Sequence, residues 1–389
     1  VADPNFGLSA SQAGLAAIGE SASYAMVTLL IAFLWNIVLL VFRKVTKIRT
    51  LATTGHIMVK QSTFATWAVY FLLPSMRNFT GIVLVGILCG TYWAVFSNLT
   101  VEATQDLTEG AGFAVGHQQM LSVWFVDKFA GKLGNKEKGV ENFNLGGIFT
   151  IFDDYVVGTS VIMMLFFGIL LAIIGKETMM QFDSNCGKNL WYVIYVLETC
   201  CAFAVNLVVL KTGVRMFVTE MVESFHGISN KMAGVLPAVD CAATYGFGAS
   251  NAVTLGFLFG AIGNVLGVFV LLLIKCPVLI IPGFVPMFYD NATIGLFANN
   301  KGGFKALVIV CLASGLIQVL GSAFGIQLFG LTEFGGYVGN FDYATLWPVI
   351  GLSMKYLAVP GIIIAIVAML IIPQIQYAKN KENYWKVTE

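Results

Sequence analysis

Charge is scarce in this chain of 389 residues: Asp, Glu, Lys and Arg make up only 11% of it and leave a net charge of +1. That balance excludes a nucleic-acid partner, because phosphate-backbone binding needs concentrated Lys and Arg. The seven cysteines include no CxxC pair. Cys89, Cys200, Cys201 and Cys311 sit in apolar runs and read as small core residues, neither disulfides nor metal ligands. No metal and no cofactor is expected.

What the chain has in excess is apolar surface. Hydrophobic residues make up 58%, with 31 Phe and 41 Gly, and the mean hydropathy is +0.82. One soluble core could not hide that much, so the expected class is an all-α polytopic membrane protein. The opening VADPNFGLSASQ has no basic region followed by an apolar one, so it is not a signal peptide. Val1 is not an initiator Met, and the true start is expected to lie upstream.

A first span is expected from Tyr24 to Phe42, long enough to cross a hydrocarbon core of about 30 Å at about 1.5 Å per residue. Arg43, Lys44, Lys47 and Arg49 follow without an acidic residue, which places this end in the cytoplasm. In the next stretch, 50–61, His56 and Lys60 share a face if it is helical. Further spans are expected at 63–76, 81–99, 156–175, 190–210, 254–274, 304–330 and 345–373. An interfacial amphipathic stretch is expected at 219–231, where His226 reads as a solvated surface residue.

Three stretches are too interrupted for ordinary crossings. Residues 110–126 begin GAGFAVGHQQ, residues 235–252 read VLPAVDCAATYGFGASNA, and residues 276–300 carry three prolines and Asp290. Broken or re-entrant helices are tolerated at membrane depth only where protein or a watery cavity surrounds them. GFAVGHQ at 112–118 also lines up with GFGASNA at 246–252. The pairs Phe152-Asp153-Asp154-Tyr155 and Phe288-Tyr289-Asp290-Asn291 follow the two copies at nearly the same distance. That pattern suggests internal repeats, roughly 43–175 and 211–330, within a single membrane domain spanning 1–389. A transporter site at the repeat interface is the functional reading; interhelical hydrogen bonds that only hold a bundle together are the bland one.

Four aspartates, Asp153, Asp154, Asp240 and Asp290, would together cost on the order of 10 kcal/mol if they faced lipid. They must face something polar. With Gln118 and Gln119 they could pair with vicinal hydroxyls or a ring lactone, and His56 and His117 could donate to an anionic oxygen. A small polyhydroxylated, acidic solute fits this chemistry. Gln119, Asp153, Asp154, Asp290 and Asn291 are assigned to capping the broken helices, whose first N–H groups need acceptors.

The strings RTLATTGHIM, GFAVGHQQ, VDCAATYGF followed by NAV, and IIPGFVPMFYDNATIGLFAN occur in order along the chain. Together they closely resemble the ascorbate-specific enzyme IIC family of the bacterial phosphotransferase system. The resemblance implies a homodimeric permease of the bacterial inner membrane, with a dimerising scaffold domain and a mobile core domain that moves like an elevator. It implies a separate IIB protein whose phosphocysteine phosphorylates the incoming ascorbate, and a substrate site lined by His56, His117, Gln118 and Asp240. The family's glutamine one turn after the first histidine falls on Lys60 here, with Gln61 beside it, which puts that contact in question and points to a related sugar acid. About two membrane helices that precede this region in family members are expected to be missing. Where the family has a substrate-contacting Thr-Tyr pair, this chain reads Asp3-Pro4-Asn5-Phe6.

On this reading Asp240 and His117 are the candidates for a base when the substrate hydroxyl attacks the donor phosphate. Positioning and charge stabilisation alone are the other possibility. An ion-coupled or facilitative carrier would use the same residue types; dependence on a phosphorylated IIB protein separates the two.

Overall fold

The computed structural model describes residues 6–142, 155–183, 185–187, 191–202, 204–206, 209, 216, 234–278, 280, 283, 285–332 and 339–386. Asp153, Asp154 and the stretch 219–231 with His226 lie outside them. In chain order the elements that frame the site are helix α1 (Phe6–Val41), strand β1 (Thr50–Ala52), α2 (Gly55–Leu72), α3 (Phe79–Leu99), α4 (Val101–Thr108), β2 (Ala114–Val115), α5 (Met120–Leu133), β3 (Leu236–Val239), α6 (Ser250–Leu273), α7 (Asn291–Phe329) and α8 (Phe341–Lys379). Among the described residues, five helices are long and apolar enough to cross a membrane: Tyr24–Val41 within α1, α3, α6, Pro286–Phe329 and α8. The run expected at 156–175 is helical from Tyr155 to Ile174, through a π-turn at Met164–Gly168.

These helices carry apolar residues on both faces, as lipid-embedded helices do. On α1 Leu30, Leu34, Val38 and Val41 are exposed, while Thr28, Ala32 and Asn36 are buried on the opposite side. Lipid tails supply no hydrophobic drive between helices, so close backbone approach has to do that work. Gly90 on α3 lies against Ala32 of α1, where an added Cβ would sit 2.3 Å from the Ala32 carbonyl oxygen. Gly256, Gly260, Gly263 and Gly267 recur along one face of α6, and a Cβ at Gly260 would sit 2.3 Å from Asn291 Cβ on α7.

A straight helix of 39 residues would run about 58 Å, nearly twice the hydrocarbon core. Helices α7 and α8 each have 39 residues, and each is broken. In α7 the backbone turns at Gly303, with φ of 66°. In α8 it turns at Ala358, two residues before Pro360, which has no N–H to continue the ladder.

Two apolar clusters hold the molecule. One joins α1, α2, α3 and α8 around Phe64, Tyr92, Trp93 and Trp347, with Phe64 stacked on Tyr343 at 3.9 Å. The other joins α5, α6 and α7 around Phe257, Met287, Phe288, Phe297 and Cys311. A small parallel sheet in the order β1-β3-β2 ties three distant parts of the chain together, with Leu51 opposite Pro237 and Ala114 opposite Ala238. Leu236 N and Ala238 O serve the β1 side, through Arg49 O and Thr53 N, while Val239 O accepts from Gly116 N of the β2 side. Pro237 therefore turns its ring nitrogen toward the flank where β2 has not yet begun, so its missing N–H costs no ladder bond.

Unpaired backbone in such interrupted segments needs other partners. Asn36 of α1 covers the free edge of β1, accepting from Ala52 N at 2.9 Å and donating to Thr50 O at 3.1 Å. Gln105 of α4 accepts from Gly112 N and donates to Phe113 O, and Thr100 donates to Val115 O at 2.8 Å. At the start of β1, the fully buried Arg49 guanidinium pairs with Glu102 at 2.8 Å, donates to Asn98 Oδ1 and Tyr384 O, and lies 3.8 Å over the Tyr384 ring. This draws the C-terminal residues onto the end of the sheet.

Candidate functional site

All three strands run parallel, so their C-terminal ends point the same way. Each ends where a helical segment is about to begin: β1 before α2, β2 before α5, and β3 before the 3-10 turn Cys241–Gly246. Residues just past parallel strand ends, beside helix N-termini whose N–H groups are free, form a natural pocket for an anionic or hydroxylated ligand. The residues in those three positions are His56, His117 with Gln118 and Gln119, and Asp240.

His56 Nε2 lies 3.1 Å from Asp240 Oδ2, although 184 positions separate them. The other carboxylate oxygen, Oδ1, accepts from Ala242 N at 2.9 Å and caps the 3-10 turn. The His56 side chain is 74% exposed and that of Asp240 is 20% exposed. The hydrogen bond to Asp240 raises the His56 pKa above its usual 6.5, against a smaller opposing effect of burial. Burial alone would push the Asp240 carboxyl up, but the bonds from His56 and Ala242, with the nearby His117, hold it at about 2. This pair is therefore a donor to an anion and a poor proton acceptor.

His117 is buried, with Nδ1 against Gln119 Oε1 and 3.9 Å from Asp290 Oδ1. Burial pulls its pKa down to about 4, so the ring is neutral near pH 7. When Nδ1 donates to the carboxamide oxygen, Nε2 is left as an acceptor. Gln118 is fully buried, and neither its Nε2 nor its Oε1 has a hydrogen-bond partner among the described residues. Thr54 Oγ1, Gln61 Nε2 and Gln119 Nε2 share that condition. Each such buried atom costs about 1–3 kcal/mol, and those of Thr54, Gln118 and Gln119, which follow the ends of β1 and β2, mark unused capacity for hydroxyl groups.

Lys60, one turn beyond His56 on α2, donates to Asn340 Oδ1 at 3.2 Å. Asn340 Nδ2 donates in turn to Asp290 Oδ1 at 2.7 Å, and Asp290 Oδ2 accepts from Phe341 N at 2.6 Å and from Gln318 Nε2 at 3.2 Å. Asn291 Nδ2 bonds to Met287 O and to Gln318 Oε1. The structure thus connects His56 with Asp240, and His117 with Gln119, Asp290, Asn340 and Lys60. Asn291 belongs to the layer behind Asp290, and Asp153 and Asp154 fall outside the described residues.

Two residues of this network escaped the sequence reading, Asn340 and Gln318, and so did Asp342, whose carboxylate accepts from Met120 N and Leu121 N beside the site. Asn340 and Asp342 stand just ahead of the apolar run read as a span at 345–373, and an Asn-x-Asp before an apolar run is a helix-start signal. Gln318 carries no local signal, since it lies inside an apolar helix. Among the described residues there is no group of three His, Cys, Asp or Glu side chains that could hold a metal ion.

The chain is similar to an "Ascorbate-specific PTS system EIIC component" of Mycoplasma pneumoniae (strain ATCC 29342 / M129 / Subtype 1), with 29% identity in an alignment of 335 residues that covers 77% of this chain and 51% of that protein. It spans about half the length of this curated relative. The family described as "PTS system sugar-specific permease component" matches residues 3–344. With its long apolar helices and a family match over nearly its whole length, this multi-pass protein of the bacterial plasma membrane belongs to the sugar-specific permease components of the phosphotransferase system.

Proposed function

We propose that this chain carries the substrate site of a permease that imports L-ascorbate, or a related sugar acid, coupled to its phosphorylation by a separate IIB protein. The observation that carries the reading is the convergence of three parallel strand ends on His56, His117, Gln118 and Asp240, with the Gln118 carboxamide buried and unpartnered. The ascorbate specificity of the relative supports the choice of substrate.

In this reading His56, whose pKa the hydrogen bond to Asp240 raises, donates to the anionic oxygen of the substrate. Lys60 adds an amine donor on the same helix, and Gln118 and Gln61 take the ring and side-chain hydroxyls. The substrate's primary hydroxyl attacks the phosphorus of the IIB phosphocysteine; the new O–P bond forms as the S–P bond breaks, and the thiolate leaves. His117 Nε2 is the acceptor for the hydroxyl proton, while Asp240 orients His56. Most of the acceleration in such a transfer comes from alignment and charge stabilisation. The homodimer and the elevator motion of a core domain against a scaffold domain belong to the same proposal and rest on the family resemblance; the repeat halves 43–175 and 211–330 belong to it too and rest on the alignment of GFAVGHQ with GFGASNA.

The test is uptake of radiolabelled ascorbate by cells expressing the full-length protein, with and without the IIB partner, followed by analysis of the accumulated label. Phosphorylated label that requires the partner is the expected result. Unphosphorylated accumulation independent of the partner would replace this reading with a facilitative or ion-coupled carrier.

A further inference from the structure

Helix α5 begins without a cap of its own. Its first N–H groups are orphan donors, and the residue before it, Gln119, makes no side-chain capping bond. The acceptor comes from the far end of the chain. Asp342, fully buried near the start of α8, takes Met120 N on Oδ2 and Leu121 N on Oδ1, both at 3.1 Å. Its own backbone N–H donates to Gln118 O at 2.8 Å. The exchange resembles a capping box, but the two sides lie 222 residues apart. Among the described residues, the one other hydrogen bond to this carboxylate is from Tyr92 of α3, whose hydroxyl donates to Oδ2 at 2.7 Å.

Three bonds from one residue therefore fix the backbone of 118–121, the turn that carries the unpartnered Gln118 carboxamide. Two positions earlier Asn340 holds the Lys60 amine, as described above. Charge-assisted bonds to backbone N–H groups are short and directional, and a binding group is only as well placed as the shell that supports it. We infer that Asp342 is a positioning residue of the substrate site, which holds Gln118 and the start of α5 in the geometry that binds the sugar acid. The inference rests on the reading of Gln118 as a substrate contact.

Tyr92 supplies the control. Tyr92→Phe removes a bond to the same carboxylate but none of the hydrogen bonds to 118–121, whereas Asp342→Ala removes both roles. With purified full-length protein in lipid nanodiscs, Asp342→Ala is expected to weaken ascorbate binding about 10-fold or more, as small misplacements of binding groups do. Tyr92→Phe is expected to lower the thermal midpoint while leaving affinity within about 2-fold, the ordinary scatter of a change that reaches no contact. Steady-state uptake with the IIB partner should show the Asp342 effect in KM with little change in the maximal rate. If Asp342→Ala does not fold, Asp342→Asn retains one acceptor oxygen and should show an intermediate loss. Affinity that is unchanged in the Asp342 variants, or that falls in proportion to thermal stability in Tyr92→Phe as well, would overturn the inference. Should the unsubstituted protein bind no ascorbate, the substrate reading fails separately. Amide exchange at 117–121 then decides the positioning role: faster exchange confined to those amides in the Asp342 variant supports it, and unchanged exchange overturns it.

Discussion

Replacing Gln118 with Met separates a binding role from a bundle-holding one, because the two predict opposite signs. The carboxamide is fully buried, and both of its polar atoms lack partners among the described residues. Burying an amide without compensating hydrogen bonds costs about 1–3 kcal/mol in proteins. Methionine is similar in length and flexible enough to fill the space, so Gln118→Met should remove that penalty and stabilise the ligand-free protein by about 1–2 kcal/mol. In the binding reading the same substitution removes one donor and one acceptor for the substrate, each worth about 0.5–1.5 kcal/mol net. Together they amount to about 1–3 kcal/mol, or roughly a 5- to 150-fold loss of affinity. The assay is thermal unfolding of the purified protein in nanodiscs alongside equilibrium binding of labelled ascorbate. A Gln118→Met protein that melts lower and binds as tightly as before would refute the reasoning, and would make Gln118 a structural hydrogen-bonding residue after all.

Breaking a buried ion pair by removing one partner costs about 3–5 kcal/mol, so Arg49→Met, which strips Glu102, Asn98 and Tyr384 of their shared donor, should lower the thermal midpoint strongly. It should also release residues 380–386 to limited proteolysis; a tail that stays protected would count against the anchoring role. Binding of an anionic substrate should be full below the raised His56 pKa and fall as pH rises through it, because only the imidazolium carries charge. Asp240, held at about 2, stays ionised throughout this range, and Asp240→Asn should move the midpoint of the pH profile down toward the ordinary histidine value of about 6.5. A midpoint that does not move in that variant would remove His56 from the charge-recognition role. Gly260→Val would place a Cβ 2.3 Å from Asn291 Cβ and should destabilise by at least about 1–3 kcal/mol, measurable as a lower unfolding midpoint; a tolerated valine would mean that α6 and α7 pack less closely than the structure shows.

Much of this molecule is written in contiguous stretches of sequence. The length of an apolar run reports a crossing helix, and a glycine- or proline-interrupted run around His117, Asp240 or Asp290 reports a segment that needs special surroundings. Those properties depend on a window of some 20 residues or fewer, so α3, α6 and the broken segments were legible, as was the family through its four motifs. The span read at 304–330 matches the helix that follows the turn at Gly303, whereas the run read as one span at 345–373 is two helices joined at Ala358, a break that hydropathy does not register.

Which polar residues meet was decided elsewhere. His56 reaches Asp240 across 184 positions, Lys60 reaches Asn340 across 280, and Met120 N reaches Asp342 across 222. No window contains both members of any such pair. The parallel sheet brings three strand ends to one place, and the close glycine-lined crossing of α6 with α7 sets Asn291 behind Asp290. The amino-acid sequence by itself therefore determined a membrane-spanning chain, its family and the residue types available for binding. Only the tertiary structure decided that Asp240 faces His56, that Gln118 is left without a partner and that Asp342 caps a helix it does not belong to, because hydrogen bonds are satisfied by neighbours in space, wherever along the chain they come from.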